Sequence, residues 1–376
     1  MNYKKLSEIA DIVMGQSPKG SSLNADGIGE PFMQGRKTFG RLYPTIDTWT
    51  TEPTKHGKSR AILFSVRAPV GDMNIAPCDL CIGRGLCAIS GKNDFDTEYL
   101  YYLLSANIQK IKDKVTGTIF ESINRNDLLE TTLLVHDKDD RNKIVNILSP
   151  IDAKIECNNR TNDNLHEMCL LLYRELIDKT GGKKDLLKNH AKCILGGTPS
   201  RAKPEYWNGN INWINSGEIN RFRILKPSET ITELGLKKTS TTPLPAGTTV
   251  LAITGATLGQ VSRLEVESCA NQSVIGAIPD KSLTNEYVYL DILENINDII
   301  GRQTGGAQQH INKNDVETYE IMIPDAEELS IFETKVESLF GQIRNNCIEN
   351  EHLTKLRDTL LPELLNGKID ISNIDI

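Results

Sequence analysis

Aromatic residues make up only 6% of this 376-residue chain, and there are six histidines. No apolar run approaches the roughly 18 residues that would span a bilayer, which excludes a helical membrane protein. The opening Met1–Val13 stretch alternates polar and apolar positions, with no unbroken apolar core and no cleavage site, so no secretion signal is expected and the chain is placed in the cytoplasm. Catalytic signatures are missing as well. Gly57-Lys58-Ser59 resembles the end of a phosphate loop, but Glu52 stands where the first glycine is required. No amino-methylating motif and no glycine-rich methyl-donor loop occur. Asp325, Glu327 and Glu328 lack the lysine of a nuclease cluster and sit where a helix start favours acids. The histidines, His56, His136, His166, His190, His310 and His352, share no spacing with a nucleophile. No catalytic residue, metal or cofactor is therefore expected. The eight cysteines read as reduced apolar fillers, because Cys78-x-x-Cys81 has no second pair to complete a zinc site.

What is present is globular. Hydrophobic residues at 39% and charged residues at 25% suit ordinary cores, and the length suits two or more folding units. The formal net charge of -7 argues against a protein that simply coats nucleic acid. Two stretches run the other way. Residues 34–60 hold 6 basic and 2 acidic side chains, and residues 188–226 hold 7 basic and 2 acidic.

The chain is a doubled sequence. Ile12-Val13-Met14-Gly15-Gln16-Ser17-Pro18 matches Cys193-Ile194-Leu195-Gly196-Gly197-Thr198-Pro199 at a shift of 181, as does Phe32-Met33-Gln34 with Trp213-Ile214-Asn215. The shift then becomes 188, where residues 116–128 align with 304–316 at 6 identities in 13 positions. Such self-similarity fixes architecture before any local reading. Each half opens with short apolar runs broken by turn residues, such as 61–66 and 249–254, which predict strands.

Each half closes with one long helix. Ile144, Leu148, Ile151, Ile155, Asn158, Asn162, Leu165, Cys169, Leu172 and Leu176 follow alternating steps of 4 and 3, a coiled-coil seam. Phe332, Val336, Leu339, Ile343, Asn346, Asn350, Leu353, Arg357, Leu360 and Leu364 repeat it. Gly181-Gly182 and Gly367 are placed as left-handed caps. Pro150, whose equivalent is Ser338, predicts a kink in one helix only. If the helices pair antiparallel, Asn158, Asn162, Asn346 and Asn350 meet and fix the register, and the chain returns beside residue 1. The fold expected is α+β: two homologous mixed α/β globules separated by two long antiparallel coiled-coil helices, pseudo-twofold and circularly organised. Boundaries are placed at 1–137 and 181–324 for the globules, 138–180 for the first helix, and 325–376 for the second helix and tail.

In order, twice over and across nearly the whole chain, these segments resemble the specificity subunit of type I restriction-modification systems. The resemblance is carried by Leu6-Ser7-Glu8-Ile9-Ala10 with Gly15-Gln16-Ser17-Pro18, by Gly196-Gly197-Thr198-Pro199-Ser200, and by Trp213-Ile214-Asn215-Ser216-Gly217-Glu218-Ile219. It continues through Cys269-Ala270-Asn271-Gln272-Ser273, Arg141-Asn142-Lys143-Ile144-Val145 and Leu361-Pro362-Glu363-Leu364-Leu365-Asn366-Gly367. It implies that each globule is a target recognition domain for double-stranded DNA. It also implies that the helices are spacers docking two methyltransferase subunits, with restriction/translocase subunits completing the complex. About 39 helical residues at about 1.5 Å each come to roughly 58 Å, enough to separate two half-sites by an unread gap.

Reading a base pair requires bidentate groups on positioned loops: Arg for guanine, Asn or Gln for adenine, with Lys, Ser and Thr on phosphates. The first globule offers Gln34, Arg36, Lys37, Arg41, Tyr43, Arg67 and Arg84. The second offers Ser200, Arg201, Lys203, Asn215, Ser216, Glu218, Arg221 and Arg223. Thr116 and Thr118, with Gln303, Thr304 and Gln308, form turns suited to a phosphate or base edge. Met168, Leu171, Tyr173, Ile177, Leu356 and Leu361 lie off the seam and are candidates for subunit docking. Two other readings stand beside this one: a specificity module of another DNA-modifying or phage-defence assembly, and a coiled-coil adaptor whose globules bind proteins. An enzyme with an unfamiliar site ranks last.

Overall fold

The computed structural model describes residues 1–93, 95–115, 121–179, 183–301 and 310–371. It divides into two compact units, one formed by Met1–Glu156 with His352–Ile376, the other by Cys157–Glu351. The first unit is closed by both ends of the chain. Strand Asn2–Lys5 pairs antiparallel with Thr132–Val135, and Leu364, Leu365 and Ile371 share a core with Leu6 and Ile9. Gly367 adopts φ +66, the left-handed conformation expected of a helix cap, and its N–H bonds the Leu364 carbonyl at 3.1 Å.

The duplication is visible strand by strand. An antiparallel sheet in the first unit runs in the order Ala10–Met14, Leu86–Gly91, Ile62–Ser65, Met73–Ile75. The second unit repeats it with Ala191–Leu195, Val274–Pro279, Thr249–Ala252, Val261–Arg263. Both central strands, Ile62–Ser65 and Thr249–Ala252, are buried at every residue, which is why they read as unbroken apolar runs without alternation. A helix covers each sheet. Thr97–Ala106 is capped by the Asp96 side chain and Asn285–Glu294 by Thr284, each satisfying an orphan N–H of the first turn. Tyr99 and Tyr287, at equivalent places on these helices, are fully buried.

A second sheet in each unit contains one parallel pair. Phe32 and Met33 of strand Glu30–Met33 lie beside Cys81 and Ile82 of Leu80–Ile82. Trp213 and Ile214 of Trp207–Ile214 lie beside Cys269 and Ala270. Parallel neighbours finish at the same edge, so the loops that leave them emerge together.

The first long helix, Lys138–Lys179, has 42 residues and the second, Ala326–Leu365, has 40. Within each unit the segments they contribute pair antiparallel. In the first unit Ile144 and Leu148 are sealed into the core with Leu364 and Leu365. Truncating one such residue to Ala costs about 2–5 kcal/mol. In the second unit Cys169 and Leu176 pack with Phe332, Val336 and Phe340. The four seam asparagines do meet there. Asn158 donates to Asn350 and Asn346 to Asn162, both at 2.9 Å, while Asn350 reaches Asn159 at 2.8 Å. The first helix continues through Pro150, and the second carries Pro362 near its end. The Gly181-Gly182 cap lies outside the described residues. Of the eight cysteines, all free, five are buried and Cys157 is exposed.

Candidate nucleic-acid interface

In the first unit the parallel pair delivers two loops to one edge, and a third joins them. Gly83 N–H donates to the Met33 carbonyl at 2.8 Å and Gly85 N–H to the Gln34 carbonyl at 3.1 Å. The Gly15-Gln16 turn is tied on by bonds of 2.9 Å to the carbonyls of Leu86 and Ile82. The approach is so close that a Cβ on Gly15 would stand 2.1 Å from the Gly83 oxygen, which is why glycine is required. Ser17 Oγ then donates to Gln34 Oε1 at 2.8 Å, while the Arg84 N–H reaches the same hydroxyl at 3.4 Å. Gln34 and Arg84 are both exposed. Among the described residues the Arg84 guanidinium has no acidic partner.

The second unit builds the same junction from different side chains. Asn271 N–H donates to the Ile214 carbonyl at 3.0 Å, and Gly196 and Gly197 are tied to the carbonyls of Val274 and Ala270. A Cβ on Gly196 would meet the Asn271 oxygen at 2.1 Å. Thr198 Oγ1 bonds Gln272 Oε1, as Ser17 bonds Gln34. Asn215 caps the short turn that follows it by accepting from the Gly217 N–H at 2.8 Å. Each repeat thus displays a polar cluster on three fused loops: Ser17, Gln34 and Arg84 in one, Thr198, Asn215 and Gln272 in the other. Amides and a free guanidinium are the groups that can pair with base edges.

The remaining nominated residues are more scattered. Arg36 pairs with Asp72 at 2.5 Å, and with exposed Lys37, Phe39 and Lys112 it lines a cleft of about 620 Å³. Tyr43 is half-buried and Arg67 exposed. Exposed Ser200 offers its carbonyl to Trp207 Nε1 at 3.2 Å. Arg201 stacks 3.6 Å over the Trp207 ring and holds Glu229, whose carboxyl it keeps below the usual range. Lys203 donates to the Tyr206 hydroxyl at 3.1 Å, Ser216 is half-buried, and Arg221 pairs with Glu218 at 3.0 Å.

Three nominations point inward. Glu218 is 5% exposed and accepts from both the N–H and the hydroxyl of Ser228 at 3.0 and 2.8 Å, so it closes its own loop. Arg223 is also 5% exposed and donates to the Tyr289 hydroxyl at 2.9 Å. Arg41 is directed at buried Asp152, 2.9 Å away. A base reader needs a free donor or acceptor at the surface, and long polar side chains in a loop do not reveal whether they turn out or in. Thr116, Thr118, Gln303, Thr304 and Gln308 lie outside the described residues. Gln272, absent from the nominations, belongs to the second cluster. Its position 74 residues from Thr198 is invisible until the parallel pairing is known.

Of the docking candidates, Met168, Leu171 and Leu356 are 49%, 54% and 48% exposed. Ile177 and Leu361 are partly covered by the cores of their units. Tyr173 is corrected to a core residue: it is buried and donates to Asp291 at 2.7 Å. Ile331, 46% exposed on the second helix, was not distinguished by the seam pattern. No helix among the described residues is long and apolar enough to cross a membrane.

The type I restriction modification DNA specificity domain matches the chain twice, over residues 1–167 and 187–356. The chain belongs to that family. Among its relatives, the putative type I restriction enzyme MjaX specificity subunit of Methanocaldococcus jannaschii is 39% identical over 175 residues, covering 45% of this chain and 41% of that relative. The type I restriction enzyme HindI specificity subunit of Haemophilus influenzae is 24% identical over 358 residues, covering 72% of this chain and 77% of the relative. The crystal structure of a type I restriction-modification system S subunit from M. genitalium shares the fold at a TM-score of 0.61 and 15% identity. That match covers 97% of this chain and 96% of that one. Within this family fold, the three-loop clusters occur once in each matched segment.

Proposed function

We propose that this chain is the non-catalytic DNA-reading subunit of a type I restriction-modification complex. It reads an asymmetric, split target in double-stranded DNA, one half-site per repeat, with the helical pair accounting for an unread gap. One observation carries this reading: the same three-loop junction is built in both repeats, yet it presents Ser17, Gln34 and Arg84 in one and Thr198, Asn215 and Gln272 in the other. Equivalent placement suits two half-sites read in one manner. Unlike side chains suit two different sequences, so a palindrome is not expected. The exposed apolar residues of the long helices are the proposed docking points for two methyltransferase subunits, and restriction subunits would join through them. A net charge of -7 fits a subunit that discriminates while its partners supply much of the grip on phosphates. Methylome sequencing of cells with and without the gene tests this. The expected result is one methylated motif of two unlike short halves with a fixed gap, lost on deletion. An unchanged methylome, or a continuous palindrome, overturns it.

A further inference from the structure

In each repeat the chain leaves the reading cluster and soon meets an arginine that turns inward: Arg41, seven residues after Gln34, and Arg223, eight after Asn215. The two hold the same place in the fold. The carbonyl of Leu42 accepts from Ile75 at 2.8 Å, and Ile224 exchanges bonds with Arg263 and Glu265 at 3.0 and 2.9 Å. Ile75 and Arg263 are related by the 188-residue shift, and Arg41 and Arg223 immediately precede the residues that pair there.

Each arginine ends on a buried acid that a second arginine, from the second long helix, also engages. In the first unit Arg41 and Arg357 donate to the same oxygen of Asp152 at 2.9 and 3.0 Å, and the Tyr102 hydroxyl takes the other at 2.9 Å. Asp152 lies on the first long helix, so a single carboxylate ties the loop, both long helices and the short helix over the sheet. Just ahead of Arg41 the loop is clamped again, because buried Asn74 exchanges two 3.0 Å bonds with Gly40. In the second unit the helix residue equivalent to Asp152 is Phe340, and the Arg223 guanidinium lies 5.2 Å from that ring and 4.6 Å from Tyr289. The acid comes instead from the sheet: Glu265 meets Arg223 at 3.5 Å, Arg263 at 2.8 Å and Arg344 of the second helix at 3.3 Å.

Buried ion pairs contribute little net stability, but any arrangement that separates the partners strands a charge away from water. Such a pair therefore restricts position more than it adds strength. Base-edge recognition is correspondingly sensitive to position, since a site displaced by about 1 Å no longer matches its target. We propose that Arg41–Asp152–Arg357 and Arg223–Glu265–Arg344 are positioning residues: they fix the angle at which each reading cluster meets DNA, so half-site discrimination is set from the helices. This rests on the DNA-reading function proposed above.

The test uses the full chain in complex with its methyltransferase subunits and compares binding to DNA altered in either half-site, across a salt series. Asp152→Asn keeps the shape and removes the charge. Arg357→Gln acts on the same acid from the second long helix and guards against misfolding of the first variant. Both are expected to lower discrimination at one half-site about tenfold, the size of one mismatched base pair, leaving the other half-site and the salt slope unchanged. Glu265→Gln and Arg344→Gln should do the same at the other half-site only. Intact discrimination in the folded variants overturns the proposal. So does an Arg41→Gln variant whose salt slope drops by about one while Asp152→Asn has no effect, because Arg41 would then be touching phosphate itself. A wild-type complex blind to sequence would overturn the reading function as well, which separates the two failures.

Discussion

The Tyr173 hydroxyl donates to Asp291 at 2.7 Å, and that carboxyl is fully shielded from solvent, whereas its counterpart in the other repeat is Leu103. Burial lifts the Asp291 carboxyl to about 7, although the hydroxyls of Tyr173 and Tyr319 pull the other way. In the unfolded chain it titrates near its ordinary 3.8. The folded state therefore binds the extra proton between these values, and its stability falls as pH rises through that window. Below about 4 the contribution is complete, and above about 7 it is gone. Denaturant melts at pH 5 and pH 8 should show the wild-type chain losing stability across the interval. Asp291→Asn, which cannot ionise, is expected to flatten that dependence; equal slopes in both proteins would refute the assignment.

The asparagine ladder makes a second prediction. Asn350→Leu removes one acceptor and one donor and leaves the buried Asn158 amide short of a partner, which costs about 1–3 kcal/mol. The double variant Asn158→Leu with Asn350→Leu removes both partners and should recover most of that loss, while relaxing the register that the amides enforce. Equilibrium unfolding of the wild type, both single variants and the double variant checks the direction. Additive losses in the double variant would mean that the two amides do not act as a pair.

The sequence exposes the parts of this molecule that repeat and conceals those that depend on distant partners. The helical seam and the asparagine contacts follow from 4 and 3 spacing alone, and Gln34 and Asn215 stand out because their strands match at a fixed shift. Arg357 also leaves a trace, since a charge inside an apolar seam requires a buried acid nearby. Asp152 leaves none: it lies one residue off the seam, between Ile151 and Ala153, and meets Arg41 across 111 residues. The inward turn of Arg41, Glu218 and Arg223 is equally hidden, because a basic loop reads as a DNA contact whether its side chains face out or are consumed by buried acids.

Readout by the two clusters should be separable. Gln34→Ala or Arg84→Ala is expected to relax one position of one half-site, and Asn215→Ala or Gln272→Ala one position of the other, at about 1–3 kcal/mol each. Methylome sequencing of strains carrying each variant gives the result directly as a degenerate base in the motif. If Gln34→Ala and Gln272→Ala relaxed the same half-site, the division of one half per repeat would be wrong.

Subunit docking is the last expectation, and it follows from exposure. Leu171 and Leu356 lie off the seam and are about half exposed on the long helices, so a partner can cover them without disturbing either core. Leu171→Glu and Leu356→Glu place a charge on each patch without touching a core, so each chain should keep its melting temperature. Desolvating an unpaired carboxylate at an interface is expensive, and each variant should therefore lose at least tenfold in affinity for methyltransferase subunits. The double variant should co-purify with none. Titration of methyltransferase into the folded variants checks this, and wild-type stoichiometry in the double variant would move the docking surface elsewhere, with Ile331 and Met168 the next residues to charge.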